Sequence, residues 1–223
     1  MTKRQRLDKV PFQGNVYPIP SMAYLEDKNT RLYLLSGQPL GGISPNEGVF
    51  DVFQDRRLLQ DDNRGLGQGV TDNRKTRLHF KIMFEIKPMN NLKPSLKASQ
   101  ELYQLSHPPL SFLTRDINLR DVSFLSEQLP CDHHLLSMRT SLSNNEIFVT
   151  LHRFGVSCGT GCDLNAGFNF ADTFSPNINQ RLERSISRMT LSTLYEVKSN
   201  ISMKEQLYVD QMDLVTYSLR PIK

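Results

Sequence analysis

Met22-Ala-Tyr-Leu-Glu-Asp-Lys-Asn-Thr-Arg-Leu-Tyr-Leu-Leu35 is the stretch on which the fold turns. Two short runs rich in apolar and aromatic residues, 22–25 and 31–35, stand on either side of Glu26-Asp-Lys-Asn29. Runs of four or five such residues, cut by Asp and Asn, read as strands joined by a turn, because Asp and Asn side chains hydrogen-bond the backbone of tight turns. Upstream, Asn15-Val-Tyr17 is cut in the same way by Pro18-Ile-Pro20. Downstream, Pro39, Gly41, Gly42 and Pro45 mark residues 37–48 as a loop, and a strand follows over 49–54. Partial alternation predicts a long strand over 77–86. Further strand patterns fall at 132–139, 146–152, 190–196 and 213–220, and residues 171–190 fit either strand or helix.

One segment breaks the pattern. After Pro94, residues 95–105 place Leu96, Leu102 and Leu105 roughly on one side, which predicts a single short helix. The expected fold is therefore mostly β, an antiparallel β-sandwich with one short helix near 95–105. The expected organisation is a basic tail over 1–10 and a β-sandwich over 11–128. The latter carries an Asp/Arg/Gly-rich loop over 55–76 and a Pro-rich excursion over 87–128. Residues 129–223 continue the sandwich or form a smaller C-terminal β domain.

The net charge of +4 and pI near 9.0 raise nucleic acid as a partner. Lys3, Arg4, Arg6 and Lys9 against Asp8 put +3 of that charge in the first nine residues, leaving +1 for the rest. A nucleic-acid footprint needs a clustered basic face, so no nucleic-acid partner is expected and the tail reads as solvated. No apolar run approaches the ~20 residues of a membrane span, and the basic N-terminus has no apolar stretch behind it, so neither a span nor a targeting signal is read in this chain. Cys158-Gly-Thr-Gly-Cys162 can close as a disulfide, and Asn200-Ile-Ser202 is a glycosylation sequon. Both point to an oxidising lumen. A lumenal chain without an entry signal reads as a piece of a longer protein.

The densest polar stretch is Asp55-Arg-Arg-Leu-Leu-Gln-Asp-Asp-Asn-Arg-Gly-Leu-Gly-Gln-Gly69. It lies in a connection of more than twenty residues, far beyond the ~2–5 of ordinary hairpins, and loops of that length tend to be functional. Its glycines are spaced G-x-G-x-G with no helix pattern after them, so they read as turns rather than as a phosphate cradle. Asp61 and Asp62 are adjacent, whereas retaining glycosidases hold two carboxyl groups ~5 Å apart across the scissile bond. Ion pairing within the loop to Arg56, Arg57 or Arg64 is the stronger reading. Arg64, followed by Gly65, differs: its guanidinium fork can hydrogen-bond a sugar hydroxyl or hold an acidic group. Cys131-Asp-His-His134 raises a metal site, but zinc needs three or four convergent ligands and adjacent strand residues point to opposite faces. The expected outcome is one buried, hydrogen-bonded histidine and one exposed one. His79 and His152 read as packing residues.

These segments together resemble a known family. Asn15-Val-Tyr-Pro-Ile-Pro-Ser-Met-Ala-Tyr24, Arg31-Leu-Tyr-Leu-Leu-Ser36 and the run 55–69 are similar to the C-terminal part of the Golgi α-mannosidase II family, glycoside hydrolase family 38. Leu129-Pro-Cys-Asp-His-His-Leu135, Leu151-His-Arg153 and Met212-Asp-Leu-Val-Thr-Tyr217 extend the likeness, in the same order. The resemblance implies retaining hydrolysis of terminal α-mannose from N-glycans by a complete enzyme in the Golgi lumen, membrane-anchored there. In that enzyme the nucleophile and a zinc ion belong to an N-terminal catalytic domain. No catalytic residue, metal ligand or cofactor is expected in this chain, and the missing catalytic domain is its implied partner. By the same resemblance Arg64 reaches the mannose pocket, with Asp61, Asp62, Arg56, Arg57 and Gly65 supporting its loop. Cys158 and Cys162 match a cysteine pair of relatives, and Asn200 falls where a relative carries a sequon. The alternative is a free-standing, non-catalytic carbohydrate-binding or assembly module.

Overall fold

A computed structural model describes residues 3–55, 57–60, 63–65, 67–71, 74–86, 93–115, 123–141, 145–156, 163 and 165–222. The chain is mostly β, the strand pairs among the described residues are antiparallel, and it divides into two compact units. The first comprises residues 1–92 and 97–111, the second 93–96 and 112–223.

The first unit holds two three-stranded sheets. One has the order β1 (Tyr17–Ile19), β4 (Leu40–Ile43), β5 (Asp51–Phe53). The other has the order β2 (Met22–Glu26), β3 (Thr30–Ser36), β6 (Phe80–Ile86). The turn between β2 and β3 forms as its residues dictate: Asp27 Oδ1 accepts from the backbone N–H groups of Asn29 at 2.8 Å and Thr30 at 2.7 Å. β4 lies inside the segment expected to be loop. Gly41 and Gly42, read as breakers, serve there as spacers. A Cβ on Gly42 would come within 2.6 Å of Ile19 Cδ1, so β4 sits between its neighbours because it lacks one. The expected helix forms as α1 (Leu96–Ser106). It lays Ala98, Leu102 and Leu105 against Tyr33, Leu35 and Met83 on one face of the second sheet. Lys81 on β6 and Lys97 both pair with Glu101 on the helix. The two ammonium groups hold the Glu101 carboxyl at about 2, well below its ordinary value, with Lys81 the larger influence.

The second unit is a five-stranded sheet in the order β10 (Glu196–Ser202), β9 (Leu182–Met189), β11 (Leu214–Pro221), β8 (Ile147–Arg153), β7 (His133–Thr140). Val149, Leu151, Ile186, Val215, Tyr217 and Leu219 project from it onto Phe168, Phe170 and Phe174. Phe170 and Phe174 bracket a one-turn helix, α2 (Phe170–Thr173), whose start is capped by Asn169 accepting from the Asp172 N–H. A second single turn, α3 (Pro176–Asn179), precedes β9. The strand expected over 190–196 is instead a turn: Thr193 has φ 59°, and Thr190 N–H donates to Tyr195 O at 2.9 Å. Its apolar residues, Leu191, Leu194 and Tyr195, point into solvent and contribute nothing to the core. The undecided stretch 171–190 holds both forms, two single helical turns followed by β9.

Candidate functional site

The charged loop has a defined neck. Leu58 and Val70 form an antiparallel bridge, with the Leu58 N–H donating to Val70 O at 2.9 Å. Gly69 permits that approach, since a Cβ there would fall 2.5 Å from Leu58 O. Asn63 (φ 59°) and Gly67 (φ 65°) both occupy the left-handed region, so the chain turns sharply on either side of Arg64 and Gly65. Arg64 is exposed at the tip, and Arg57 is exposed near the neck. Asp61, Asp62 and Arg56, expected to support the loop, lie outside the described residues.

A second polar centre sits in the other unit, where the sequence showed Cys131-Asp-His-His134. β7 begins at His133 and pairs His133 with Arg153 at the end of β8. Asp132, fully buried, stands between them. Its Oδ1 lies 2.7 Å from His133 Nδ1, and its Oδ2 accepts from Arg153 Nε at 2.7 Å. Arg153 also donates through Nη1 to Val209 O at 2.6 Å. The carboxylate is thus shared between a strand start and a strand end, and Arg153 extends the clamp to the segment before β11. His133 Nδ1–H donates to Asp132, which leaves Nε2 buried without a hydrogen-bond partner beside the ring of Phe168.

His134 differs from the expected exposed histidine. Its ring stacks on Phe154 at 5.1 Å and meets His152 edge-on at 5.3 Å. His152 packs as expected, whereas His79 is exposed, because β6 starts one residue later. Among the described residues no three His, Cys, Asp or Glu side chains converge as a metal would require. Burial pushes the His133 imidazole below its ordinary value, and the Asp132 carboxylate only partly offsets this. Burial alone pushes His152 in the same direction. A histidine that binds protons less readily when folded stabilises the fold fully above its unfolded pKa of 6.5 and loses that contribution as pH falls below it. The melting temperature is therefore expected to drop as pH falls from 7.5 towards 5. His152→Phe should shrink the drop, and a melting temperature flat across that window would contradict it.

Cys131 is disulfide-bonded. The expected pairing of Cys158 with Cys162 falls on two residues that lie outside the described set. Asn200 of the sequon is exposed on β10, with φ 54° at an irregularity in the pairing of β10 with β9.

The chain is 34% identical to human alpha-mannosidase 2 over 243 residues, which takes in 97% of this chain and 21% of that protein. The chain belongs to the alpha-mannosidase 2 family. It matches the C-terminal part of these enzymes and spans about a fifth of the length of the curated relatives it matches. Fruit-fly alpha-mannosidase 2 is 55% identical over 93 residues, 42% of this chain and 8% of the relative. Human lysosomal alpha-mannosidase is more distant, 26% identical over 194 residues. No family model matches the chain. Neither polar centre was fully legible beforehand.

Proposed function

We propose that this chain is the non-catalytic β region of a retaining α-mannosidase of glycoside hydrolase family 38. It works with a catalytic domain that lies outside it, and the complete enzyme removes terminal α-mannose from N-glycans in the Golgi lumen. The observation that carries the reading is the alignment: nearly the whole chain is matched by about a fifth of an α-mannosidase. The described residues do not fit the zinc that such an enzyme uses, since no three candidate ligands converge. Zinc and nucleophile are assigned to the catalytic domain. No helix of the described residues is long and apolar enough to cross a membrane.

Arg64 is the substrate contact in this reading. A guanidinium at the tip of a necked loop offers several N–H donors at a fixed angle, a geometry that suits vicinal sugar hydroxyls. Arg57 and Gly65 support its loop; Asp61, Asp62 and Arg56, the other expected supports, lie outside the described residues. Asn200, exposed on an edge strand, carries an N-glycan.

The test is an assay of the purified chain on an aryl α-mannoside with added zinc. No turnover above background is expected. Turnover that a chelator abolishes would overturn the division of labour. The paired arm is a complete enzyme carrying this segment, in which Arg64→Ala lowers kcat/KM by about tenfold or more. Unchanged kcat/KM in Arg64→Ala would remove Arg64 from the substrate site.

A further inference from the structure

Of the seven tyrosines, only Tyr195 and Tyr208 are exposed. Tyr208 lies in the irregular segment 203–213 between β10 and β11. Its neighbours anchor that segment. Leu207 and Val209 are buried, and Leu207 exchanges backbone hydrogen bonds with Phe168 at 2.8 and 3.1 Å. With the residues on either side turned inward, as along a strand, Tyr208 is turned outward and is 66% exposed. Its ring rests over Gly167, where a Cβ would come within 2.9 Å of Cε1. The phenol is therefore held at the surface as an accessible nucleophile. Its surroundings are acidic: residues 203–213 hold Glu205, Asp210 and Asp213 against Lys204, a net charge of −2 in a chain of net charge +4. Glu205 and Asp210 are exposed, and Glu205 accepts from Lys198 Nζ at 3.0 Å. The matching window around Tyr195, residues 190–200, holds Glu196 against Lys198 and has no net charge.

We propose that Tyr208 is a tyrosine O-sulfation site, modified by a sulfotransferase of the Golgi lumen; this rests on the Golgi reading of the complete enzyme. Tyr208 Oη attacks the sulfur of a nucleotide phosphosulfate. The Oη–S bond forms and the S–O bond to the phosphate breaks. The phenolic proton passes to a base of the transferase, and the nucleotide bisphosphate leaves, so nothing is oxidised or reduced. A transferase that holds so anionic a donor needs a basic cleft, and a basic cleft draws in an acceptor flanked by carboxylates. Tyr208 meets that requirement and Tyr195 does not.

The experiment incubates the purified 223-residue chain with sulfur-labelled phosphoadenylyl sulfate and a detergent extract of Golgi membranes. An acidic tyrosine peptide in a parallel tube shows that the extract is active. The expected result is one sulfuryl group per chain, placed on Tyr208 by mass spectrometry of its peptides. Tyr208→Phe should abolish labelling, and Tyr195→Phe should leave it unchanged. Glu205→Gln combined with Asp210→Asn should slow labelling by about tenfold or more, the scale of electrostatic steering, with an unchanged circular dichroism spectrum. Three results would each overturn the proposal: no label while the control peptide is labelled, label that survives Tyr208→Phe, or a rate indifferent to the two carboxylates. Transferase and donor are supplied in the tube, so such a failure leaves the Golgi reading standing. That reading falls separately if the complete enzyme carrying this segment is absent from Golgi membranes.

Discussion

Asp132→Ala is expected to destabilise the second unit by about 3–5 kcal/mol, the usual cost of removing one partner from a buried ion pair. The carboxylate is fully buried and satisfies two groups at once, Arg153 Nε and His133 Nδ1, both at 2.7 Å. Without it the Arg153 guanidinium, only 12% exposed, loses its carboxylate acceptor, and both nitrogens of His133 lack partners. The damage should spread beyond the two side chains. Asp132 O also accepts from Phe154 N–H at 2.8 Å, and Arg153 exchanges backbone bonds with Met212 and Asp213. The start of β7, the end of β8 and the segment before β11 therefore loosen together. Pairing Asp132→Leu with Arg153→Met should recover most of the loss, since an apolar pair of similar volume removes both charges at once. About 1 kcal/mol stays lost, because Arg153 no longer donates to Val209 O. Urea unfolding of the single and double variants checks this, and an Asp132→Ala loss below about 1 kcal/mol would contradict it.

Much of the β content was readable because local signals agreed with the final register. Residues 22–36 carried apolar runs, turn chemistry and alternation that pointed one way, and β2 and β3 formed within one residue of expectation. α1 was legible for the same reason, with Pro94 before it and three leucines on one side. The misreadings occurred where tertiary contacts overrode local preference. Gly41 and Gly42 break strands by propensity, yet the close approach of Ile19 and Phe50 makes small size a requirement at Gly42. Leu191, Leu194 and Tyr195 looked like a strand, yet Thr193 in the left-handed region turns the chain there.

The polar centres divide along the same line. Arg64 was visible because charge and glycine concentrate around it in sequence. The Leu58–Val70 neck that shapes its loop was not visible, because it joins residues twelve apart with no distinctive side chains. Asp132 was noticed only as part of a metal motif. Its partner Arg153 stands twenty-one residues away, and only the β7–β8 register brings the two together. Pairing of that kind cannot be read from spacing along the chain.

Arg31→Met should cost the first unit about 3–5 kcal/mol, for a reason the alternation of β3 already contains. Arg31 is in phase with Tyr33 and Leu35, so a charge is placed on the buried face of its strand. Burial works against that charge. Hydrogen bonds to Tyr33 and Glu26 outweigh it and hold the guanidinium above its ordinary pKa. Nη2 and Nε donate to Glu26 Oε2 at 2.8 and 3.1 Å, and Nη1 donates to Tyr33 Oη at 3.1 Å. The guanidinium also lies 4.1 Å from the centre of the Tyr24 ring. Arg31→Met deprives Glu26, 11% exposed at the edge of the sheet, of its guanidinium partner. Adding Glu26→Gln should recover about half or more of the loss, as an amide tolerates burial better than a charge. Arg31→Lys should not rescue, because a single ammonium cannot span Glu26, Tyr33 and the Tyr24 ring together. Thermal unfolding across the set decides it. Arg31→Lys melting within a few degrees of the parent would mean that charge alone matters there. A loss in Arg31→Met that Glu26→Gln leaves untouched would assign the cost to the aromatic stack instead.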